Sequence, residues 1–323
     1  MPEIISLGEL LIDFVPTVSG VTLIEAPAFK KAPGGAPANV AVGVARLGVS
    51  SGFMGKVGED PFGHFLAQTL SEAGVDISAL CFSKEARTAL AFVSLKSDGE
   101  RDFMFYRHPS ADMLYKPEDV EAAYIQSARI FHYGSISLIS EPSRSATFRA
   151  IEIAQQAGLL ISYDPNLRLN LWPDSESAKQ GIMQGWPRAQ VIKVSQEELE
   201  FLSGTEDLHA GARRLWHDSL KLMVITHGKS GCSYITKDFN GEIPGFSVIP
   251  VDTTGAGDGF VAGLLRGLYL FPKALTNEKL IRQVCRYANA VGALTTTQRG
   301  AIPALPTSDQ VEKFLEYGEV PPQ

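Results

Sequence analysis

Residues 252–258 read DTTGAGD, and the ten residues after them read GFVAGLLRGL. The second run has apolar residues at spacings of three and four, which is typical of a helix packed against other elements. We therefore predict a helix that begins near Gly257, directly after a glycine-rich turn. The first N–H groups of a helix lack partners within it and form the positive end of its dipole. This turn can therefore bind an anion without a Lys or Arg.

Asp258 closes the turn and is within reach of an anion held there. A carboxylate in that position can accept the proton of a hydroxyl group as the hydroxyl attacks a phosphoryl group. We predict that Asp258 is the catalytic base, and that the N–H groups of Gly255, Ala256 and Gly257 stabilise the transferred charge. The alternative is a structural Asp that caps a buried helix, which contributes about 1 kcal/mol. This segment alone favours neither interpretation.

A second glycine-rich turn precedes a helix rich in Ala and Val, since residues 33–41 read PGGAPANVA. Residues 34–58 and 252–264 match both signature motifs of the ribokinase/PfkB family of carbohydrate kinases, in the order found in that family. The chain thus resembles this family over nearly its whole length. The resemblance implies ATP-dependent phosphorylation of a sugar. It also implies an α/β ribokinase-like fold, with a mainly parallel sheet sandwiched by helices and a small projecting β-sheet that forms a lid.

Three further stretches resemble fructokinases, the plant type in particular. They read GELLIDFVP at 8–16, FMFYR at 103–107 and DPNLR at 164–168, the last followed by LWP at 171–173. This resemblance implies conversion of D-fructose to D-fructose 6-phosphate. Two alternatives stay open, namely a 2-keto-3-deoxygluconate kinase, which shares the DPNLR stretch, and a non-catalytic fructokinase-like scaffold.

Short apolar runs alternate with helical patterns along most of the chain, which predicts βαβ units and a parallel sheet. The predicted strands are 4–7, 130–133, 160–163, 191–194 and 222–226, and the predicted helices are 61–73, 142–157, 197–203 and 308–315. Two β-rich stretches, at about 12–32 and 87–109, are assigned to the lid, with a hairpin turn at 97–100. We expect a single domain over residues 1–323 with this lid inserted in it.

The family resemblance assigns sugar binding to a carboxylate after the first strand, a glycine-rich turn, an amide and two arginines. These are Asp13, Gly34, Gly35, Asn39, Arg107 and Arg168. It assigns nucleotide binding to six small or polar residues, Ser195, Thr226, Gly228, Gly231, Gly257 and Asn289. Ser195 replaces the Asn usual in the family. Residues 226–231 also end like a Walker A loop, but that motif needs a Gly where Met223 stands, so it is excluded.

Two cations follow from the same resemblance. Mg²⁺ is expected beside Glu198, which would act through water because Mg²⁺ keeps most of its hydration shell. K⁺ is expected near the catalytic turn, held mainly by backbone carbonyls of two loops. The positions concerned are Asp252, Thr254, Thr295, Gln298, Gly300 and Ala304.

Composition limits the partners. The 323 residues include 36 acidic and 29 basic ones, a formal net charge of -7, so no extended basic surface for nucleic acid or anionic lipid is expected. The first apolar run begins after three residues and no run has transmembrane length, so we expect no leader peptide, no membrane partner and a cytoplasmic location. The expected partners are fructose and ATP. In several members of the resembling family the lid is also the dimer contact, and a homodimer through the lid is the corresponding expectation.

Overall fold

The computed structural model describes residues 1–18, 20–95, 101–318 and 320. The predicted hairpin turn at 97–100 lies outside these residues. The strands are β1 Ile4–Leu7, β2 Leu11–Pro16, β3 Phe29–Gly34, β4 Ser51–Gly58, β5 Val75–Asp76, β6 Leu80–Ser83, β7 Leu90–Leu95, β8 Arg101–Tyr106, β9 Ile130–Gly134, β10 Leu160–Asp164, β11 Val191–Ser195, β12 Leu222–Thr226, β13 Gly231–Ile235 and β14 Asn240–Pro244. The α-helices are α1 Ala36–Arg46, α2 Pro61–Glu72, α3 Ala122–Gln126, α4 Ser143–Gln156, α5 Ser175–Gly185, α6 Gln196–Ser203, α7 Leu208–Leu215, α8 Ala256–Leu270, α9 Glu278–Thr295 and α10 Ser308–Tyr317.

Ten of the described strands form one sheet in the order β14-β13-β12-β11-β10-β9-β1-β4-β5, with β6 also paired to β4. Neighbours from β12 to β5 run parallel, whereas β13 and β14 add an antiparallel edge. Strand β1 lies between β4, which follows it on one side, and β9, which the chain forms later on the other side. The strand order therefore reverses at β1. Ligands of such open sheets bind outside the carboxyl ends of the strands where the strand order reverses.

Helices cover both faces of this sheet. One apolar core packs α4, α5, α6 and α7 against it, through residues such as Ile151, Ala178, Leu199 and Ala212. The other packs α1, α8, α9 and α10 on the opposite face. The predicted fold class is therefore confirmed, and the predicted strands and helices have the observed bounds to within two residues.

A second sheet stands apart from the first. Among the described residues it has four strands in the order β3-β2-β7-β8, of which β2 and β7 run parallel. The bounds of these four strands agree to within three residues with the two stretches that the sequence assigns to a lid. Movement of this sheet over a substrate stays a prediction. Across the part of the chain that the structure describes, no helix is both long and apolar enough to cross a membrane.

Candidate active site

Helix α8 begins at the predicted turn. Gly255 precedes it with φ 78°, a left-handed conformation that glycine adopts readily, and a Cβ there would stand 2.7 Å from the Cβ of Ala301. The helix starts at Ala256, one residue before the predicted position. Its first N–H groups therefore lie where the sequence predicts an anion site.

Asp258 lies in the first turn of α8 and is 9% exposed. The Asn39 Nδ2 amide, from α1, donates a hydrogen bond to Asp258 Oδ2 at 2.7 Å. Burial raises the pKa of Asp258 to about 6, an effect opposed by the Asn39 hydrogen bond and reinforced by Asp164. A carboxylate with this pKa is ionised near neutral pH and can still accept a proton, as a general base must. Asn39 holds the predicted base, and its expected contact with the sugar stays a prediction.

Asp13 lies within β2 of the small sheet, opposite Ala32 and Ala91, rather than in a loop after β1. Gly34 leaves the space that this carboxylate occupies, since a Cβ on Gly34 would be 2.1 Å from Asp13 Oδ2. Burial raises the pKa of Asp13 to about 7; the positive charge of Arg168 opposes this and the negative charge of Asp258 adds to it. The two carboxylates and Arg168 therefore act on one another across the space between the two sheets.

Lys193, on β11, is buried beside the same turn. Its Nζ donates to Asp164 Oδ2 at 3.1 Å and lies 3.4 Å from the position that a Cβ on Gly257 would take. Burial lowers the pKa of Lys193, but the carboxylates of Asp164, Glu198 and Asp258 outweigh it and hold the pKa above its ordinary value. The turn thus has a positive charge fixed beside it that the sequence analysis did not predict.

Arg107 directly follows β8 and is buried in an ion pair with Asp112. The carboxyl of Glu9 interacts with this pair, and its Oε1 accepts a hydrogen bond from the N–H of Ala36 at 3.0 Å. Burial raises the pKa of Glu9 to about 7. Arg107 therefore fixes the end of β8 to Asp112, and its assignment to sugar binding stays a prediction.

The predicted nucleotide residues gather at the carboxyl ends of β11 and β12. Ser195 and Thr226 are neighbours in these strands, and Gly228 and Gly231 form the turn into β13, both with positive φ. Asn289 lies on α9 and is buried, and its Nδ2 donates to the carbonyls of Ile243 and Pro244 in β14. The structure thus places four of the six, Ser195, Thr226, Gly228 and Gly231, at the ends of β11 and β12. Gly257 lies in the first turn of α8, and Asn289 joins α9 to β14.

Glu198 has both carboxylate oxygens bonded to backbone N–H groups. Oε2 accepts from Ser195 at 2.8 Å, and Oε1 accepts from Leu167 at 2.7 Å. The described residues include no group of three His, Cys, Asp or Glu side chains that could hold a metal ion. The direct contacts of Glu198 are thus with the main chain, and its water-mediated role toward Mg²⁺ stays a prediction.

The predicted K⁺ residues lie in two loops that adjoin at the N–H of Asp252, which donates to the Thr296 carbonyl at 3.1 Å, and K⁺ binding there stays a prediction. Asp252 Oδ1 accepts from the N–H and hydroxyl of Thr254, and Asp252 Oδ2 accepts from the N–H of Gly300 at 2.9 Å. Thr295 is buried in α9 with its hydroxyl on the Val291 carbonyl. The last two positions, Gln298 and Ala304, line a cavity of about 190 Å³ together with Arg46.

Comparison with known proteins decides the family. A family model described as pfkB family carbohydrate kinase matches residues 1–308. The chain belongs to the pfkB family of carbohydrate kinases. Among curated relatives of this pfkB kinase, Fructokinase-2 of Solanum lycopersicum is 56% identical over 316 residues, which cover 98% of this chain and 96% of the relative.

Solved structures of pfkB family members agree in fold. A fructokinase from Xylella fastidiosa with bound ATP superposes with a TM-score of 0.90 at 37% identity, covering 99% of this chain and 100% of that one. A fructokinase from Vibrio cholerae O395 in a fructose-, ADP- and calcium-bound form has a TM-score of 0.88 at 39% identity, covering 98% and 99%. The predicted family membership is thus confirmed.

Sequence reasoning missed four residues of this site, namely Asp164, Lys193, Glu9 and Asp112. A signal was available for one of them, because Lys193 is a charge inside the apolar run VIKVS of a predicted buried strand. Buried lysines are rare unless they are paired. Its partner Asp164 ends the neighbouring strand, and only the strand order of the sheet brings the two together.

Proposed function

We propose that the protein is an ATP-dependent fructokinase, which converts D-fructose to D-fructose 6-phosphate. The observation that carries this proposal is the placing of Asp258 in the first turn of α8, where a carboxylate lies beside the positive end of the helix dipole. The fructokinase names of its relatives and the fructose-bound neighbour support the choice of sugar.

In this mechanism Asp258 accepts the proton of the primary hydroxyl as that hydroxyl attacks the γ-phosphorus of ATP, the bond to the β,γ-bridging oxygen breaks and ADP leaves. The N–H groups of residues 255–257 and the charge of Lys193 stabilise the negative charge on the transferred group. Asn39 fixes the Asp258 carboxylate by its hydrogen bond. Asp13 and Arg168 bind the sugar, and closure of the small sheet excludes water.

The same proposal includes the cofactors. Mg²⁺ supplies charge neutralisation on the nucleotide phosphates when it is bound. Because Glu198 is bonded to two N–H groups, the protein's part is limited to contacts through water. Ser195, Thr226, Gly228 and Gly231 bind the nucleotide, and K⁺ binds near the loops that Asp252 joins. We also propose one domain, with the small sheet as its lid and dimer contact, in the cytoplasm.

The test is ADP release by the purified protein with Mg-ATP and a panel of acceptors. The panel contains fructose, glucose, mannose, ribose, adenosine and 2-keto-3-deoxygluconate. We expect fructose to give the highest kcat/KM. A preference for 2-keto-3-deoxygluconate would keep the mechanism and replace the substrate, whereas no release with any acceptor would contradict the proposal and favour a non-catalytic scaffold.

A further inference from the structure

Glu9 lies two residues after the end of β1 and is only 3% exposed. Its Oε1 accepts a hydrogen bond from the N–H of Ala36 at 3.0 Å, whereas its buried Oε2 has no hydrogen-bond partner among the described residues. Arg107, the cation that interacts with it, is already paired with Asp112. Burying a carboxylate with so few partners costs free energy, so the stability of the fold does not account for a Glu at this position.

The N–H that Glu9 holds is the first one of α1. Gly35 is the N-cap residue of this helix and has no side chain that could cap it, and Pro37 in its first turn has no N–H to be satisfied. Glu9 therefore supplies the cap from 27 positions away in the chain. A carboxylate at this end of a helix also interacts favourably with the helix dipole.

The main chain around Glu9 fits closely against the same turn. A Cβ on Gly35 would lie 2.3 Å from the carbonyl oxygen of Glu9, and a Cβ on Gly8 would lie 2.5 Å from Cγ of Pro37. The N–H of Gly8 donates to the carbonyl of Met54 in β4 at 3.1 Å. The segment after β1 thus joins the central sheet to the start of α1.

Asn39 is the fourth residue of α1, and its N–H donates to the Gly35 carbonyl at 2.9 Å. Its Nδ2 donates to Asp258 Oδ2 at 2.7 Å, while its buried Oδ1 has no partner among the described residues. The bond to Asp258 therefore orients this side chain, and the turn that Glu9 caps places its backbone. A displacement of that turn would lengthen the bond between Asn39 and the proposed base.

We infer that Glu9 is a positioning residue for the base, because its carboxylate holds the N–H of Ala36 and so keeps Asn39 bonded to Asp258. The inference rests on the proposed fructokinase function. Glu9 acts here through the length of its side chain and its acceptor oxygen, and its charge is not required. These properties can be separated by substitution.

The experiment compares two variants in the pH dependence of kcat/KM for fructose and in kcat. Glu9→Gln keeps the length of the side chain and an acceptor oxygen but loses the charge, whereas Glu9→Asp keeps the charge but is one methylene shorter. We expect Glu9→Gln to stay within about two-fold of wild type and Glu9→Asp to lower kcat about ten-fold, the effect of one lost hydrogen bond.

The pH profile distinguishes positioning from a general loss of activity. The Asn39 hydrogen bond lowers the pKa of Asp258, so its loss in Glu9→Asp should move the acid limb of the profile to higher pH. If Glu9 acted by its negative charge, Glu9→Gln would move that limb to lower pH instead. Both substitutions leave in place the other charged groups that act on Asp258 or Glu9, namely Asp13, Asp164, Arg168, Lys193, Arg107 and Asp112.

Three further variants make the result specific. Asn39→Ala should move the acid limb in the same direction, and adding it to Glu9→Asp should produce no further shift because both act through one bond. Glu72→Asp makes the same change at an exposed position of α2 and should behave as wild type. Glu9→Leu also removes the acceptor, and it decides the matter if Glu9→Asp does not fold, as a melting curve will show.

Two results would overturn the inference. In the first, Glu9→Asp matches wild type while Glu9→Gln is slow, which would mean that the charge matters. In the second, Glu9→Asp or Glu9→Leu loses activity with no change in the pH profile, which would indicate a general effect on the fold. In both cases the wild-type protein still phosphorylates fructose and the proposed function stands. A wild-type protein that phosphorylates none of the acceptors would refute the proposed function, and the inference with it.

Discussion

Asp258 is buried and Asp13 half-buried, and we expect the protonation of these two carboxylates to control the proposed reaction. Burial raises the pKa of Asp258 to about 6 and that of Asp13 to about 7, with Asp164, Arg168 and Lys193 as the other charged groups that act on them. Since the base must be ionised, kcat/KM for fructose should rise with pH through the range between about 6 and 7 and level off above it. A pH–rate profile measures this, and a flat profile from pH 5 to 8 would contradict the assignment.

Lys193 should stabilise the transferred charge. Replacing it in Lys193→Met should lower kcat about 100-fold, the usual effect of removing one donor from such a site, with a smaller change in KM for fructose. The variant should also melt at a lower temperature, because Asp164 is left buried without its partner. Lys229→Met, which removes an exposed lysine, is the control. A kcat within about two-fold of wild type would show that Lys193 is structural only.

At the scale of elements, the N-terminus of α8 and the small sheet supply the two halves of the site. Helix α8 packs on α1 and α9, which fixes the base and the N–H groups to the rigid part of the molecule. Asp13 belongs instead to the small sheet, so the carboxylate that is proposed to bind the sugar would move with that sheet. Closure would therefore change the distance between Asp13 and Asp258, which gives the proposed lid a direct effect on catalysis.

The small sheet should also form the dimer contact. Met104 and Tyr106, on β8, are 44% and 56% exposed and belong to the face that carries the stacked rings of Phe14 and Phe92. Covering this face would remove apolar area from water. We predict a dimer by light scattering at assay concentration and a monomer for the Met104→Lys/Tyr106→Lys variant. A monomeric wild-type protein would contradict the dimer.

At the scale of the whole molecule, the sequence predicted the fold class and most of the parallel strands because apolar runs and glycine-rich turns mark them locally. The position of Asp258 at the start of α8 was predicted for the same reason, since it belongs to the glycine-rich turn itself. Lys193 and Asp164 could not be paired from sequence, because their contact depends on which strands are neighbours. The placing of Asp13 inside a strand of the second sheet was missed because alternation shows a strand but not its sheet.

The contacts of Glu198 also include one that the sequence can indicate and one that it cannot. The Glu198–Ser195 cap is local and its residues are three apart, so a sequence can indicate it. The contact between Glu198 and the N–H of Leu167 spans 31 positions and joins the first turn of α6 to the loop after the neighbouring strand β10. That contact forms because β10 and β11 are neighbours in the sheet, and the sequence alone does not predict which strands are neighbours.

Turnover by Asp258→Asn tests the central claim most directly. The variant keeps the shape of the side chain and removes the base, so kcat for fructose should fall by several orders of magnitude while fructose and ATP bind within a few-fold of wild type. Because the folded protein raises the pKa of Asp258, ionisation destabilises it above about pH 6, and the variant should melt no lower than wild type near pH 8. A folded Asp258→Asn protein with near-normal kcat would contradict the mechanism.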